Sequence, residues 1–371
     1  MIEERMAYLW MGGLRNVGPV ARQRLLELYG SSAALFHAPD AELLALVAED
    51  VISQESFEEM CTGRNEAELC ARAEAYQKEN AAFLTPADEE YPELLMEIPD
   101  PPVTLFYRGN IGYLRDSVCL GVVGTRTPSL YGKEVAGRFV KPLAAEGVVI
   151  VSGLATGIDT EAHRSAIQAG GRTVGVLGGG IDICYPQRNF HLYQEMCENQ
   201  LVVSEYAPGI PPLAIQFPLR NRIISGLSRG LLVLEARKRS GTLITADAAL
   251  DQGRNVYAVP GRLGDPLSEG TNNLIRQGAM CVQGPEDILE DLGIAKKQRR
   301  KKGKGTLLSG ERLELTKEER RILSRLSLVP VHVDELVGDG DGTLQDNLSL
   351  LLSMEKRALI HQPMRGYYTR G

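Results

Sequence analysis

The sequence predicts an α/β protein built on a Rossmann-like, doubly wound, mostly parallel sheet. An N-terminal helical domain precedes the sheet and a C-terminal winged helix follows it. Three observations carry that prediction. Between about residues 118 and 260, short runs of Val, Ile and Leu recur without polar alternation, as strands covered on both faces require. Several of these runs end in small-residue turns that open helical segments, which is the βα unit of a parallel sheet. The flanks follow other periods, with apolar residues three and four apart at the N-terminus and short helices closed by a hairpin at the C-terminus.

Residues 1–80 read as helical, with apolar spacing in Leu25, Leu26 and Leu28 and again around Leu43, Leu44 and Leu46. Within them, Leu14-Arg15-Asn16-Val17-Gly18-Pro19-Val20-Ala21 resembles a helix-hairpin-helix or SAM-like turn, whose backbone amides can meet a phosphate. The plainer alternative is a structural helix pair with Gly18 as a C-cap. Prolines 86, 92, 99, 101 and 102 mark the entry to the second domain, residues 81–292. Its strands are expected at Val118–Val123, Val148–Ser152, Thr173–Leu177, Leu201–Ser204, Leu231–Leu234 and Val256–Val259. Residues 293–314 read as a basic linker, and 315–371 as a winged helix with helices Thr316–Leu326, Val333–Val337 and Thr343–Lys356 and a hairpin at Arg365-Gly366. The third of these helices carries Gln345, Asp346, Asn347, Ser349, Ser353 and Glu355, with Lys356 and Arg357 only at its end, which suits a DNA major groove poorly.

The chain has 371 residues, 43% hydrophobic and 24% charged, an ordinary globular composition sufficient for two or three domains. No stretch approaches the roughly 20 apolar residues of a membrane span, so a cytoplasmic protein with no membrane association is expected. Cys61, Cys70, Cys119, Cys184, Cys197 and Cys281 form no C-x-x-C pair and read as reduced core residues. The net charge is −7, yet Lys296–Lys304 holds seven basic residues, leaving −14 on the remainder. Any nucleic acid on the folded body must therefore use a focused basic groove.

Three turns stand out: Gly124-Thr125-Arg126-Thr127-Pro128-Ser129, Ser152 through Asp159, and Arg239-Ser240-Gly241-Thr242. Small-residue turns between a parallel strand and a helix present free N–H groups and a positive dipole end, so phosphate is their natural ligand. There is no G-x-x-x-x-G-K-[ST] loop, no H-E-x-x-H, no G-x-S-x-G and no G-x-G-x-x-G. The Gly178-Gly179-Gly180 triplet alone says little. Asp159, Glu161 and His163 could be drawn as an acid/base group, but Asp159 capping the helix that starts at Thr160 is the simpler reading. The segment Gln216–Ser228 places Phe217, Arg220, Asn221 and Arg222 within six residues. Aromatic stacking on a base with arginines on the backbone phosphates is how single strands are held without sequence preference. The alternative is that Phe217 fills the core and Arg222 pairs with Glu235 or Asp247.

Taken together these residues resemble the DNA-processing protein A (DprA/Smf) family. The resemblance rests on Gly124-Thr125-Arg126, Ser152-Gly153-Leu154-Ala155-x-Gly157-Ile158-Asp159, Phe217-Pro218-x-Arg220-Asn221-Arg222, Ser240-Gly241-Thr242-Leu243-x-Thr245-Ala246 and Gly253-Arg254-x-Val256-x-Ala258-Val259-Pro260-Gly261. It implies a non-enzymatic protein of natural transformation that binds single-stranded DNA, protects it and loads RecA onto it, with no cofactor or metal. It also implies a homodimer formed through the Rossmann-like domain. Carried onto matching positions, Gly124, Thr125, Arg126, Ser152 and Gly153, then Phe217, Arg220, Asn221 and Arg222, and finally Arg239, Ser240, Gly241 and Thr242, would bind the DNA. Arg239 stands where many relatives have lysine, a fork donor replacing a point charge. The alternatives are a nucleotide-binding hydrolase of a related Rossmann-like fold, whose P-G-G-x-G-T-x-x-E signature is missing here, and a sequence-specific regulator using the winged helix.

Overall fold

The computed structural model describes residues 2–115, 117–294, 315–326, 330–337, 344–357, 359–364 and 366–370. They fall into two compact units, one within Met1–Lys297 and one within Gln298–Gly371. The basic run Lys296–Lys304 and Arg365 of the hairpin turn lie outside the described residues.

The first unit is organised by a nine-stranded sheet in the order β1-β2-β6-β5-β4-β3-β7-β8-β9. Its strands are β1 (Ala82–Leu84), β2 (Leu105–Gly109), β3 (Cys119–Val123), β4 (Val149–Ser152), β5 (Thr173–Leu177), β6 (Leu201–Ser204), β7 (Gly230–Val233), β8 (Asn255–Ala258) and β9 (Met280–Cys281). From β6 to β9 every pairing is parallel, whereas β1 and β2 form an antiparallel edge on β6. The six expected strands form the middle of this sheet, within a residue or so of their expected bounds. The flanking β1, β2 and β9 were not foreseen.

The run of buried residues along β3 to β7 has a physical cause, since both faces are covered. One face packs Val149, Val151, Val174, Val176, Leu231 and Val233 under the helices Gln216–Gly226, Gly241–Asp251 and Glu269–Arg276. The other packs Leu120, Val122, Ile150 and Leu232 under Leu130–Ala145, Ile158–Gln168 and Pro285–Asp291. Each fully buried aliphatic side chain contributes roughly 1.5–3 kcal/mol. Of the cysteines, Cys119 and Cys184 are buried core residues, but Cys70 and Cys281 are exposed, against the expectation of a shared core role.

The N-terminal helices surround Trp10, Met11, Leu25, Leu35, Leu43 and Met60, and join the antiparallel edge where Leu9 packs with Phe83 and Phe106. At the hairpin turn, the Arg15 and Asn16 amides donate to the Glu59 carboxylate at 2.7 and 2.8 Å. A side chain of the protein thus occupies those two donors, and Gly18 is the N-cap of Pro19–Tyr29 rather than a C-cap. Among the described residues no helix is long and apolar enough to cross a membrane.

The second unit has helices Lys317–Arg325, Val333–Val337 and Leu344–Lys356 and a three-stranded antiparallel sheet. That sheet, ordered β10-β12-β11, comprises β10 (Val331–His332), β11 (Ile360–Met364) and β12 (Tyr367–Arg370). Thr316 and Glu319 form a capping box at the first helix, and Ile322, Leu336, Leu351, Met354 and Ile360 make the core. The third helix exposes Leu348 and Leu352, so its outer face is partly apolar.

Candidate nucleic-acid interface

The chain runs outward from β3 through β4 and β5 to β6, then returns to lay β7 beside β3. Loops on either side of such a reversal diverge, and ligands of open α/β sheets bind in the crevice this leaves at the carboxyl ends of the strands. Here the two loops are Gly124–Ser129 after β3 and Leu234–Ser240 after β7. Thr125 N donates to Glu235 O at 2.9 Å, and the buried Glu235 carboxylate accepts from Ser129 N at 3.0 Å and from the Ser129 hydroxyl. A cleft of about 590 Å³ opens above them, lined by residues of both loops and of the helices Gln216–Gly226 and Gly241–Asp251.

Its basic side chains are Arg126, Arg220, Arg237 and Arg239, against the single carboxylate of Asp159. Arg220 forms the floor. It is 4% exposed, and its Nη1 donates to Gly153 O at 2.5 Å and to Val176 O, while Nε donates to Asn221 Oδ1 at 3.2 Å. Burial pushes its pKa down to about 10, with Asp159 opposing the shift and Arg126 adding to it, so the guanidinium stays charged at neutral pH. Asp159 lies in the first turn of Ile158–Gln168 and accepts from Gly153 N at 3.1 Å and Ala155 N at 3.4 Å. Its carboxylate therefore closes the preceding loop instead of capping its own helix, which begins two residues earlier than expected. Burial raises its pKa, while Arg220 and those two amides work against the rise.

Arg126 is exposed, with its guanidinium carbon 5.8 Å from the Phe217 ring centroid. Phe217 is half-buried against Gly178, where a Cβ would come within 2.9 Å of the ring. On its other side lies Tyr185, half exposed, with ring centroids 5.4 Å apart and planes at 39°. A cation and two aromatic faces thus form one shelf. The N-terminus of Gly241–Asp251 also lines the cleft, capped by Ser240, whose Oγ accepts from Thr242 N at 3.2 Å. Gly157 has φ of +85°, a left-handed conformation that permits its close approach to Thr125 and Arg126.

Of the residues expected to share a site, Gly124, Thr125, Arg126, Phe217, Arg220, Asn221, Arg239, Ser240, Gly241 and Thr242 all line this cleft. Ser152, Gly153 and Arg222 do not. Ser152 is buried at the end of β4, donating to Val122 O at 2.6 Å, and Gly153 supports the floor through its backbone. Arg222 is buried on the far side of its helix, hydrogen-bonded to Glu205 at 2.8 Å and ion-paired with Asp100 at 2.9 Å, and not with Glu235 or Asp247. His163 is wholly buried, with Nδ1 2.7 Å from Thr173 Oγ1, so no acid/base group with Asp159 is presented to the cleft. Tyr185 and Arg237 were missed. Tyr185 sits in a loop remote in sequence from Phe217, and only its Tyr-Pro setting hints at an ordered turn.

Residues 82–293 match the family model described as DNA recombination-mediator protein A. The DNA processing protein DprA of Bacillus subtilis is 44% identical over 218 residues, covering 59% of this chain and 73% of that protein. The X-ray structure of DNA processing protein A from Streptococcus pneumoniae superposes with a TM-score of 0.66 at 36% identity, covering 78% of this chain and 98% of that one. A structure of DNA processing protein A from Helicobacter pylori, describing its single-stranded DNA binding mode, gives a TM-score of 0.53 at 30% identity, covering 57% and 95%. With the model matching more than half of its length, and a cleft placed where the sheet reverses, the chain belongs to the DNA recombination-mediator protein A family.

Proposed function

We propose that this protein binds single-stranded DNA in the cleft, protects it, and loads RecA onto it for homologous recombination during natural transformation. It acts in the cytoplasm, as a homodimer formed through the Rossmann-like domain, and not as an enzyme. The observation that carries the binding step is the shelf of Arg126, Phe217 and Tyr185 in a cleft lined by four arginines and one carboxylate. On a chain of net charge −7 this is a local reversal of sign. Phosphates supply the complementary charge, and unpaired bases supply the faces that aromatic rings stack on. A duplex hides those faces, so single strands are preferred. The Helicobacter pylori relative's single-stranded DNA binding mode supports the same use of the fold. The description of the family as a recombination mediator supports the RecA step. Asp159 is engaged by two amides and faces Arg220, which supports a binding reading over a hydrolytic one that would use this carboxylate.

The test is fluorescence anisotropy of a labelled single strand and of its duplex, followed by RecA ATPase activity on a strand precoated with single-strand binding protein. Preference for the single strand and relief of the RecA lag are expected. Equal affinity for the duplex would contradict the binding step, and an unrelieved lag would contradict the loading step. Light scattering checks the dimer, and a monomer at micromolar concentration would remove it.

A further inference from the structure

The helical region meets the sheet at a largely buried cluster of four charged side chains, three of them enclosed. Glu205 directly follows β6, and Arg222 Nη2 donates to both of its carboxylate oxygens, at 2.9 and 2.8 Å. Arg222 Nε lies 2.9 Å from Asp100 Oδ2. From the helix Pro19–Tyr29, Arg22 brings Nη1 to 3.9 Å from Glu205 and donates Nη2 to Leu14 O at 2.6 Å and to Gly12 O at 3.4 Å. The side chains of Arg22, Arg222 and Glu205 are only 11%, 7% and 8% exposed. Two positive charges and one negative are thus enclosed together, with Asp100 at the edge. Nε of Arg22 and both Nε and Nη1 of Arg222 find no hydrogen-bond partner, so Asp100 meets Arg222 as an ion pair and the cluster is held by a few contacts and not by redundancy.

Arg222 belongs to the helix Gln216–Gly226, which also carries Phe217, Arg220 and Asn221. Two residues along a helix turn through roughly 200°, so the ion cluster grips this helix on the side away from the cleft. We propose that Arg22, through Glu205 and Arg222, sets the position of the cleft helix, and that the N-terminal helical region thereby sets the cleft's affinity for single-stranded DNA. The proposal rests on the cleft being the DNA site. Arg22 is a positioning residue and touches no ligand. Removing it leaves Glu205 short of one cation in a poorly solvated place, and a close-packed interior answers by shifting whole elements. The element that Glu205 holds through Arg222 is the helix bearing Phe217 and Arg220. A lysine keeps the charge but not the fork that reaches two carbonyls and a carboxylate at once.

The experiment compares full-length wild type with Arg22→Met, Arg22→Lys, Asp100→Asn, Glu205→Gln, Phe217→Ala and the Arg22→Met/Glu205→Gln pair. Anisotropy with a fluorescein-labelled oligothymidine is read across a salt series, with a thermal melt of each variant. Arg22→Met is expected to raise Kd about tenfold, as a small misplacement of binding groups does, and Arg22→Lys by less. The salt slope stays at the wild-type value, because no phosphate contact is lost. The paired variant is expected to weaken binding no more than Arg22→Met alone, the non-additivity of residues that act as a unit. Asp100, with its side chain 26% exposed, holds the same Arg222 from the outer side, so Asp100→Asn raises Kd too and answers the question if Arg22→Met does not fold. Folded Arg22→Met or Asp100→Asn protein that melts early but binds within about twofold of wild type overturns the proposal. If Phe217→Ala weakens binding while those variants do not, only the coupling fails. If Phe217→Ala binds as wild type does, the cleft reading fails and takes the coupling with it.

Discussion

Replacing Arg126 by alanine should change the salt dependence of DNA binding by an amount the cleft itself fixes. Arg126 is exposed, has no ion pair among the described residues, and touches the fold through its contact with Phe217. Losing an exposed cation–π contact costs about 0.5–1 kcal/mol, so the variant stays folded and its affinity can be read directly. Each phosphate neutralised on a single strand contributes a slope of about −0.7 in log K against log salt. If Arg126, Arg220, Arg237 and Arg239 each meet a phosphate, the slope is about −2.8 for the wild type and about −2.1 for the variant. Between about 50 and 200 mM salt, wild-type affinity then falls about 48-fold and variant affinity about 18-fold. The ratio of the two dissociation constants should therefore shrink by about 2.6-fold across that interval. Anisotropy titrations at four or more salt concentrations resolve this. Parallel lines with an unchanged slope would take Arg126 off the phosphates, whatever its effect on affinity.

Other expectations use different terms of the same geometry. Phe217→Ala and Tyr185→Ala should each weaken single-strand binding by about 1–3 kcal/mol at unchanged salt slope, while Tyr185→Phe binds as wild type does. An abasic oligonucleotide that still discriminates these variants would contradict stacking. Gly153→Ala places a Cβ 2.5–2.6 Å from the Arg220 guanidinium, and should cost about 1–3 kcal/mol in a urea titration. An unchanged midpoint would mean that Arg220 does not form the floor. His163 is held neutral by burial, its pKa lowered from 6.5 to about 3. The unfolded chain binds this proton first, so stability is present above pH 6.5 and falls as the pH drops toward 3, by up to about 1.4 kcal/mol per unit. His163→Gln should flatten that part of the stability profile relative to wild type, and identical profiles would contradict the burial argument.

The central strands were legible because burial on both faces writes them as unbroken Val, Ile and Leu runs. The edges were not. β2 follows a proline-rich stretch and pairs antiparallel, and β9 has two exposed residues, too few to carry a period. Most cleft residues were legible because small-residue turns after parallel strands line the crevice that opens where the strand order reverses. Arg222 shows the limit of counting residues within a segment. On a helix it cannot share a face with Arg220, and the partners that hold it, Glu205 and Asp100, come from distant parts of the chain. Ser152 misled for a related reason, since at the last strand position its hydroxyl turns inward to Val122 O and not toward the turn that follows. Tyr185 reaches Phe217 only through the loop after β5, a meeting that no local pattern announces.

The most direct test of the cleft as the DNA site is photo-cross-linking of a single strand carrying 5-iododeoxyuridine, with the attachment point read by mass spectrometry. Cross-links to Tyr185 or Phe217, lost when an unlabelled single strand competes and kept when duplex does, are the predicted result. Cross-links confined to residues 315–371, or to the face of the sheet away from Arg126, would contradict it.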